Sequence, residues 1–212
     1  MDAEVKKKLD NFFKASSERS LKKGEMLIFA GEDPGGVFRL LSGRIKQYGV
    51  SHGGDEVVLN IFKPMSFFPM SYALNKSPNK YFYEALEDTK YQKVSAEAAT
   101  EFLGANPDVT LDLLRRLYVG IDGMLERNFY LMAGSATNRI IVELVIEAKR
   151  FGQKEPDGSI TIKVSQQELA SRVGLSRETI SRDIKKLPGV RVKHGSINIT
   201  DLSELEQTLS EV

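Results

Sequence analysis

Between residues 20 and 100 the apolar positions come in short runs, and glycines divide them. Met26-Leu27-Ile28-Phe29, Val37-Phe38-Arg39-Leu40-Leu41, Arg44-Ile45-Lys46-Gln47-Tyr48 and Val57-Val58-Leu59-Asn60-Ile61-Phe62 are set off by Gly24, Gly31, Gly35-Gly36, Gly43 and Gly53-Gly54. Turn signals roughly every ten residues predict an antiparallel sandwich or barrel. Leu40 to Ile45 reads as a hairpin whose turn needs Gly43. Ahead of this region, Met1 to Phe13 reads as a short amphipathic helix. After Asn106-Pro107, a helix start signal, the period changes. Leu111, Leu114, Tyr118, Ile121, Leu125, Asn128 and Met132 follow alternating steps of three and four, which is a heptad seam. The predicted helix runs to about Ala133 and is roughly 40 Å long. A second stripe, Leu113, Leu117 and Met124, suits contact with the β-rich region. Two stripes call for two partners, the helix's own domain and a second copy of the chain; a core helix in a monomer is the plainer alternative. Asn128 in the seam fixes register at a cost in stability. Gly134-Ser135-Ala136 breaks the helix, and a further helix is predicted from Thr137 to Phe151, ending at Gly152.

Ile160 to Val164 alternates as a strand and leads into the most informative stretch, Gln166 to Lys185. It reads as two short helices joined by a tight turn, the unit that places a helix in the DNA major groove. Ala170 is small where the helices approach, and Gly174 suits a left-handed turn residue. Leu169, Val173, Leu175, Ile180 and Ile184 take the inward faces. Ser176 is a cap for the second helix. Its outer face presents Arg177, Glu178, Ser181 and Arg182, with Thr179 also polar. Arg can bond guanine O6 and N7 in bidentate fashion, and Glu can accept from cytosine N4. A plain surface helix with paired charges would not bring cap, turn glycine, core spacing and base-reading residues together. Beyond Pro188-Gly189, Val190 to Lys193 and Ile197 to Ile199 alternate around His194-Gly195-Ser196, a hairpin signature and the wing of a winged helix.

Composition adds exclusions. The chain has 212 residues, 41% hydrophobic and 28% charged, with a net charge of +1. That balance hides a local excess: Lys163, Arg172, Arg177, Arg182, Lys185, Lys186, Arg191 and Lys193 stand against Glu168, Glu178 and Asp183. Such an excess is what phosphate contacts require. Candidates for contact with the DNA backbone are Lys163, Ser165, Gln166, Ser176, Thr179, Lys185, Lys193 and His194. There is no cysteine, so no disulfide, thiolate zinc site or cysteine-ligated iron–sulfur cluster is available. His52 and His194 are the two histidines and fall in separate predicted turns. No metal site is expected. No apolar run approaches the ~20 residues of a membrane span, and Met1 to Phe13 lacks the apolar core of a secretory signal. The expected location is the cytoplasm, with no membrane partner.

The order β-roll, long pairing helix, hinge, winged helix resembles the CRP/FNR (catabolite activator/FNR) family of transcription regulators over nearly the whole chain. The matching residues are Lys23-Gly24-Glu25, Gly31-Glu32, Leu41-Ser42-Gly43-Arg44-Ile45-Lys46, Asn138-Arg139-Ile140 and Ser176-Arg177-Glu178-Thr179-Ile180-Ser181-Arg182. The resemblance implies an α+β chain in three parts. Residues 1–105 form an antiparallel, cyclic-nucleotide-binding-like β-roll, 106–134 a dimerisation helix, and 135–212 a winged helix-turn-helix. It also implies a homodimer on a pseudo-palindrome. Arg177, Glu178 and Arg182 match the trio for TGTGA-type half-sites, and Glu178, Ser181 and Arg182 match that for TTGAT-type half-sites; Arg177 tips the reading toward TGTGA. Expected partners are double-stranded DNA and a second copy of the chain, with RNA polymerase a further one for an activator.

The effector signature departs from the family's cyclic-AMP binders. Their Gly-Glu pair falls on Pro69-Met70, their Arg-Ser/Thr on Asn79-Lys80, and their adenine-contacting hydroxyl pair on Met124-Leu125. These departures argue against cyclic AMP. What remains is an aromatic and apolar set: Phe67, Phe68, Met70, Tyr72, Lys80, Tyr81, Phe82, Tyr83 and Met124, with Met65 nearby. Three readings stay open: core filling, a pocket for an apolar ligand such as haem, or a regulator with no ligand. No enzymatic activity is expected. The competing functions are an effector-independent architectural DNA-binding protein and, more remotely, a β-barrel metalloenzyme fused to a DNA-binding domain.

Overall fold

The computed structural model describes residues 2–193 and 195–209, so His194 lies outside the described residues. Two compact units divide between Tyr118 and Val119.

The first unit opens with α1 (Ala3–Phe13), which Asp2 caps by accepting from the Glu4 N–H at 2.8 Å. Its apolar side buries Val5, Leu9 and Phe13. Eight strands follow: β1 (Arg19–Leu21), β2 (Met26–Ile28), β3 (Val37–Ser42), β4 (Ile45–Val50), β5 (Glu56–Phe62), β6 (Phe67–Phe68), β7 (Phe82–Ala85) and β8 (Thr89–Val94). They form two antiparallel sheets, ordered β1-β8-β3-β6 and β2-β7-β4-β5. Helix α2 (Met70–Asn75) lies between β6 and β7; α3 (Ala96–Ala105) and α4 (Pro107–Ala133) follow β8. The interior of the roll is a cluster of Ile28, Phe38, Leu40, Ile45, Phe68, Tyr83 and Ala85, with Phe62 and Tyr91 against it. Phe62 and Phe68 stack at 4.2 Å, and Phe68 and Tyr83 at 5.5 Å.

Gly43, between β3 and β4, takes φ +81°, and a Cβ there would sit 2.8 Å from the Asp88 carbonyl oxygen and against the Thr89 hydroxyl. Both a left-handed backbone and a close approach hold this glycine. Gly43→Ala is expected to destabilise this unit by about 1–3 kcal/mol, read by urea unfolding; unchanged stability would show that the turn tolerates a side chain.

The second unit takes in the end of α4 and continues with α5 (Ala136–Phe151), which starts where Ser135 accepts from the Asn138 N–H at 3.2 Å. Next come β9 (Gln153–Lys154), β10 (Ile160–Ile162), α6 (Gln166–Val173), α7 (Arg177–Asp183) with a 3-10 turn (Ile184–Lys186), β11 (Val190–Lys193), β12 (Ser196–Ile199) and α8 (Leu202–Gln207). The sheet order is β11-β12-β10-β9. Ile140, Leu144, Ile162, Leu169, Ile180, Ile184, Ile197 and Leu205 meet in one core. The fold is the predicted one: antiparallel roll, long helix, winged helix-turn-helix. Three short helices, α2, α3 and α8, add to what the hydrophobic pattern predicts.

Candidate nucleic-acid interface

Local sequence builds the helix-turn-helix. Ser165 accepts from the Glu168 N–H at 3.1 Å, and Glu168 accepts from the Ser165 N–H at 2.7 Å. This reciprocal capping box satisfies two donors at the start of α6. Gly174 ends α6 with φ 65° and ψ 39°, and Leu175 N–H reaches the Ala170 carbonyl at 3.2 Å. Ser176 then starts α7 by accepting from the Thr179 N–H at 3.1 Å. Leu169, Val173, Ile180 and Ile184 are buried and Leu175 packs against them, so the two helices share one core and the opposite side of α7 stays open.

That open side carries Arg177, Glu178 and Arg182, all exposed, and Ser181, half-buried. Glu178 is held below the usual carboxylate range by its own backbone N–H and the Ser176 hydroxyl, which keeps it an ionised acceptor. Of the backbone-contact candidates, Lys163, Lys185 and Lys193 are exposed, as is Ser176. Ser165, Gln166 and Thr179 are half-buried around the starts of the two helices, where N–H groups without intrahelical partners favour anions.

Two cations of the basic stretch are held by carboxylates of the second unit. Arg172 is buried, 2.7 Å from Glu147 and 3.4 Å from Glu143. Glu143 also accepts from Arg127 at 2.8 and 3.2 Å. Burial works against the Arg172 charge, and Glu147 with Glu143 more than reverses that, holding its pKa above the ordinary value. Arg172 is thus a structural tie between α6 and α5 rather than a phosphate contact. Lys186 lies 2.7 Å from Asp183. The sequence reading missed this ion cluster. Its signal was the pair Glu143 and Glu147, one turn apart on a helix whose neighbours Leu144 and Val145 are buried.

The seam of α4 is an open apolar face. Leu111, Leu114, Tyr118, Ile121, Leu125 and Met132 are exposed, Leu125 to 61% and Met132 to 87%; Asn128 is exposed among them. Phe129 joins this face. In the second stripe Leu113 lines a cavity of the first unit, whereas Leu117 and Met124 are exposed and widen the open face.

The eight effector-pocket candidates of the first unit do not gather at one place. Phe68 and Tyr83 belong to the roll interior. Gln47 donates to the Tyr83 hydroxyl at 2.9 Å, and burial pushes that hydroxyl's pKa up to about 12. Phe82 points to the other face of β7, as alternation requires, and stacks on Tyr48 at 5.2 Å. Lys80 and Tyr81 are exposed, Tyr72 is half-buried with Asp33 raising its hydroxyl pKa, and Met124 lies on the open face of α4. Phe67 and Met70 line a small apolar cavity together with Leu9, Phe12, Phe102 and Leu113. Asn79 spends its amide on the Phe29 and Tyr81 carbonyls at 2.7 and 2.9 Å. Among the described residues no cluster of three or more His, Asp or Glu is placed to hold a metal ion, and no helix is long and apolar enough to cross a membrane.

Residues 18–106 match the family model for the cyclic nucleotide-binding domain, and residues 138–208 that for the Crp-like helix-turn-helix domain. The transcriptional regulator SdrP of Thermus thermophilus is 28% identical over 196 residues, covering 89% of this chain and 92% of that protein. A global nitrogen regulator of a Nostoc species is 28% identical over 169 residues, 77% of this chain and 74% of that one. Among solved structures, a CRP/FNR-family transcriptional regulator from Thermus thermophilus superposes with TM-score 0.73 at 25% identity, covering 92% of this chain and 98% of that one.

Proposed function

This chain belongs to the CRP/FNR family of DNA-binding transcription regulators, and on that premise we propose that it acts in the cytoplasm as a homodimer, without a catalytic role, reading a pseudo-palindromic site. The observation that carries this is the open face of α7, where Arg177, Glu178, Ser181 and Arg182 stand on a helix locked from behind by its own core. Arg supplies the guanine fork and Glu the cytosine acceptor. Lys163, Ser165, Gln166, Ser176, Thr179, Lys185 and Lys193 contact phosphates and fix the register. The seam of α4 pairs two copies, so that two such helices meet successive major grooves. RNA polymerase is the further partner where the protein activates.

A cyclic nucleotide does not fit the residues in its place. Its phosphodiester wants an Arg and hydroxyl or backbone donors. Here Pro69-Met70 and Asn79-Lys80 stand there, and the Asn79 amide is already bonded to backbone carbonyls. Phe62, Phe68 and Tyr83 stack on one another in the roll interior. This packing of the roll's own rings supports a DNA-competent regulator without an activating ligand.

The test is fluorescence anisotropy on duplexes carrying TGTGA-type or TTGAT-type half-sites and on a scrambled duplex. Arg182→Ala is expected to lower discrimination at one base on the order of ten- to a hundredfold while leaving scrambled binding nearly unchanged. An equal loss on cognate and scrambled DNA would remove Arg182 from base reading.

A further inference from the structure

Asp183 is the one acidic residue in the segment Arg182 to Lys186, and its side chain is 8% exposed beside an Arg182 side chain that is 65% exposed. Its carboxylate is fully engaged. Arg182 donates from Nε to Oδ1 at 3.0 Å and from Nη2 to Oδ2 at 3.1 Å, and Lys186 donates from Nζ to Oδ1 at 2.7 Å. These bonds, Arg182's first, hold the Asp183 carboxyl well below the usual carboxylate range. Successive helix residues do not normally face each other. The contact therefore exists because the long Arg182 stem bends back over the flank of α7.

The geometry of that fork matters. A guanidinium has five N–H donors. The edge formed by Nε and Nη2 is taken by Asp183. The end formed by Nη1 and the second Nη2 hydrogen stays free, and it presents two parallel donors of the kind that match guanine O6 and N7. We propose that Asp183 is a positioning residue for base recognition: it clamps the side edge of the Arg182 guanidinium so that the free end is already aimed into the major groove. This rests on α7 being the recognition helix. A free Arg must lose its rotamer freedom on binding, and a clamped one has lost it already. Lys186 offsets the remaining charge of the carboxylate.

Positioning and a merely structural role move different readouts. The experiment measures the intact protein by anisotropy, at fixed salt, on the preferred duplex, on each single-base variant of one half-site and on a scrambled duplex. Arg182→Ala first locates the base at which discrimination is lost. At that base Asp183→Asn is expected to lower discrimination roughly three- to tenfold. Binding to scrambled DNA stays equal or rises, because the α7 segment has lost one negative charge. Asp183→Glu recovers part of the loss, and the double variant discriminates no worse than Arg182→Ala alone. Should Asp183→Asn not fold, Asp183→Ser carries the same expectation. Full discrimination in Asp183→Asn, or equal losses on cognate and scrambled DNA with a lowered melting temperature, would overturn the positioning role. Full discrimination in Arg182→Ala would instead overturn the reading of α7 on which the proposal stands.

Discussion

Leu125→Asp in α4 is expected to give a folded chain that does not pair, with an affinity for a pseudo-palindromic duplex lowered about 10²–10⁴-fold. Leu125 is 61% exposed in the single chain, so an aspartate costs the monomer little. In a paired seam the same side chain would be a knob in an apolar hole, and a carboxylate buried there without a partner is expensive. Two tethered DNA-binding units raise each other's effective concentration at adjacent half-sites, and a monomer has lost that gain. Sedimentation would show the change of mass and anisotropy the change of affinity. A Leu125→Asp chain that stays dimeric would place the pairing surface elsewhere. A monomer that keeps full affinity would remove the need for pairing.

Glu143→Ala should cost the second unit about 3–5 kcal/mol of stability, the usual consequence of removing one partner from a buried ion cluster. Glu143 is 1% exposed and accepts from both Arg127 and Arg172. Its removal leaves Arg127 without its carboxylate and Arg172 with Glu147 alone at 2.7 Å. The cluster joins α4, α5 and α6, so the loss is felt where the helix-turn-helix is anchored. Chemical denaturation measures it, with the second unit's transition followed separately. A loss below about 1 kcal/mol, the range of an exposed pair, would mean that water or other groups take over the role of Glu143.

The parts legible in the sequence were those whose physics is local. Ser165, Gly174 and Ser176 act within three or four residues of themselves, so caps and turn could be read directly and with them the helix-turn-helix. The heptad steps of α4 and the Gly43 turn were legible for the same reason. The Glu143, Glu147 and Arg172 cluster was not, because its partners lie 25 and 29 residues apart and each alone looks like a surface charge. Arg172 adds to the basic excess read from the sequence, although the core side of α6 holds it. The aromatic set around Tyr81-Phe82-Tyr83 shows the opposite difficulty. Neighbours in sequence suggest one pocket, yet β alternation sends Phe82 and Tyr83 to opposite faces. Asp183 escaped notice because adjacent residues on a helix are not expected to touch.

The most direct measurement is selection of bound duplexes from a randomised DNA pool by the purified, ligand-free protein at near-physiological salt. The expected result is a two-fold symmetric motif. Its half-sites lie about one helical turn apart, and its best member binds ~10³-fold or more tighter than scrambled DNA. Recovery of no motif, or of a motif without two-fold symmetry, would contradict a ligand-free dimer that reads a pseudo-palindrome.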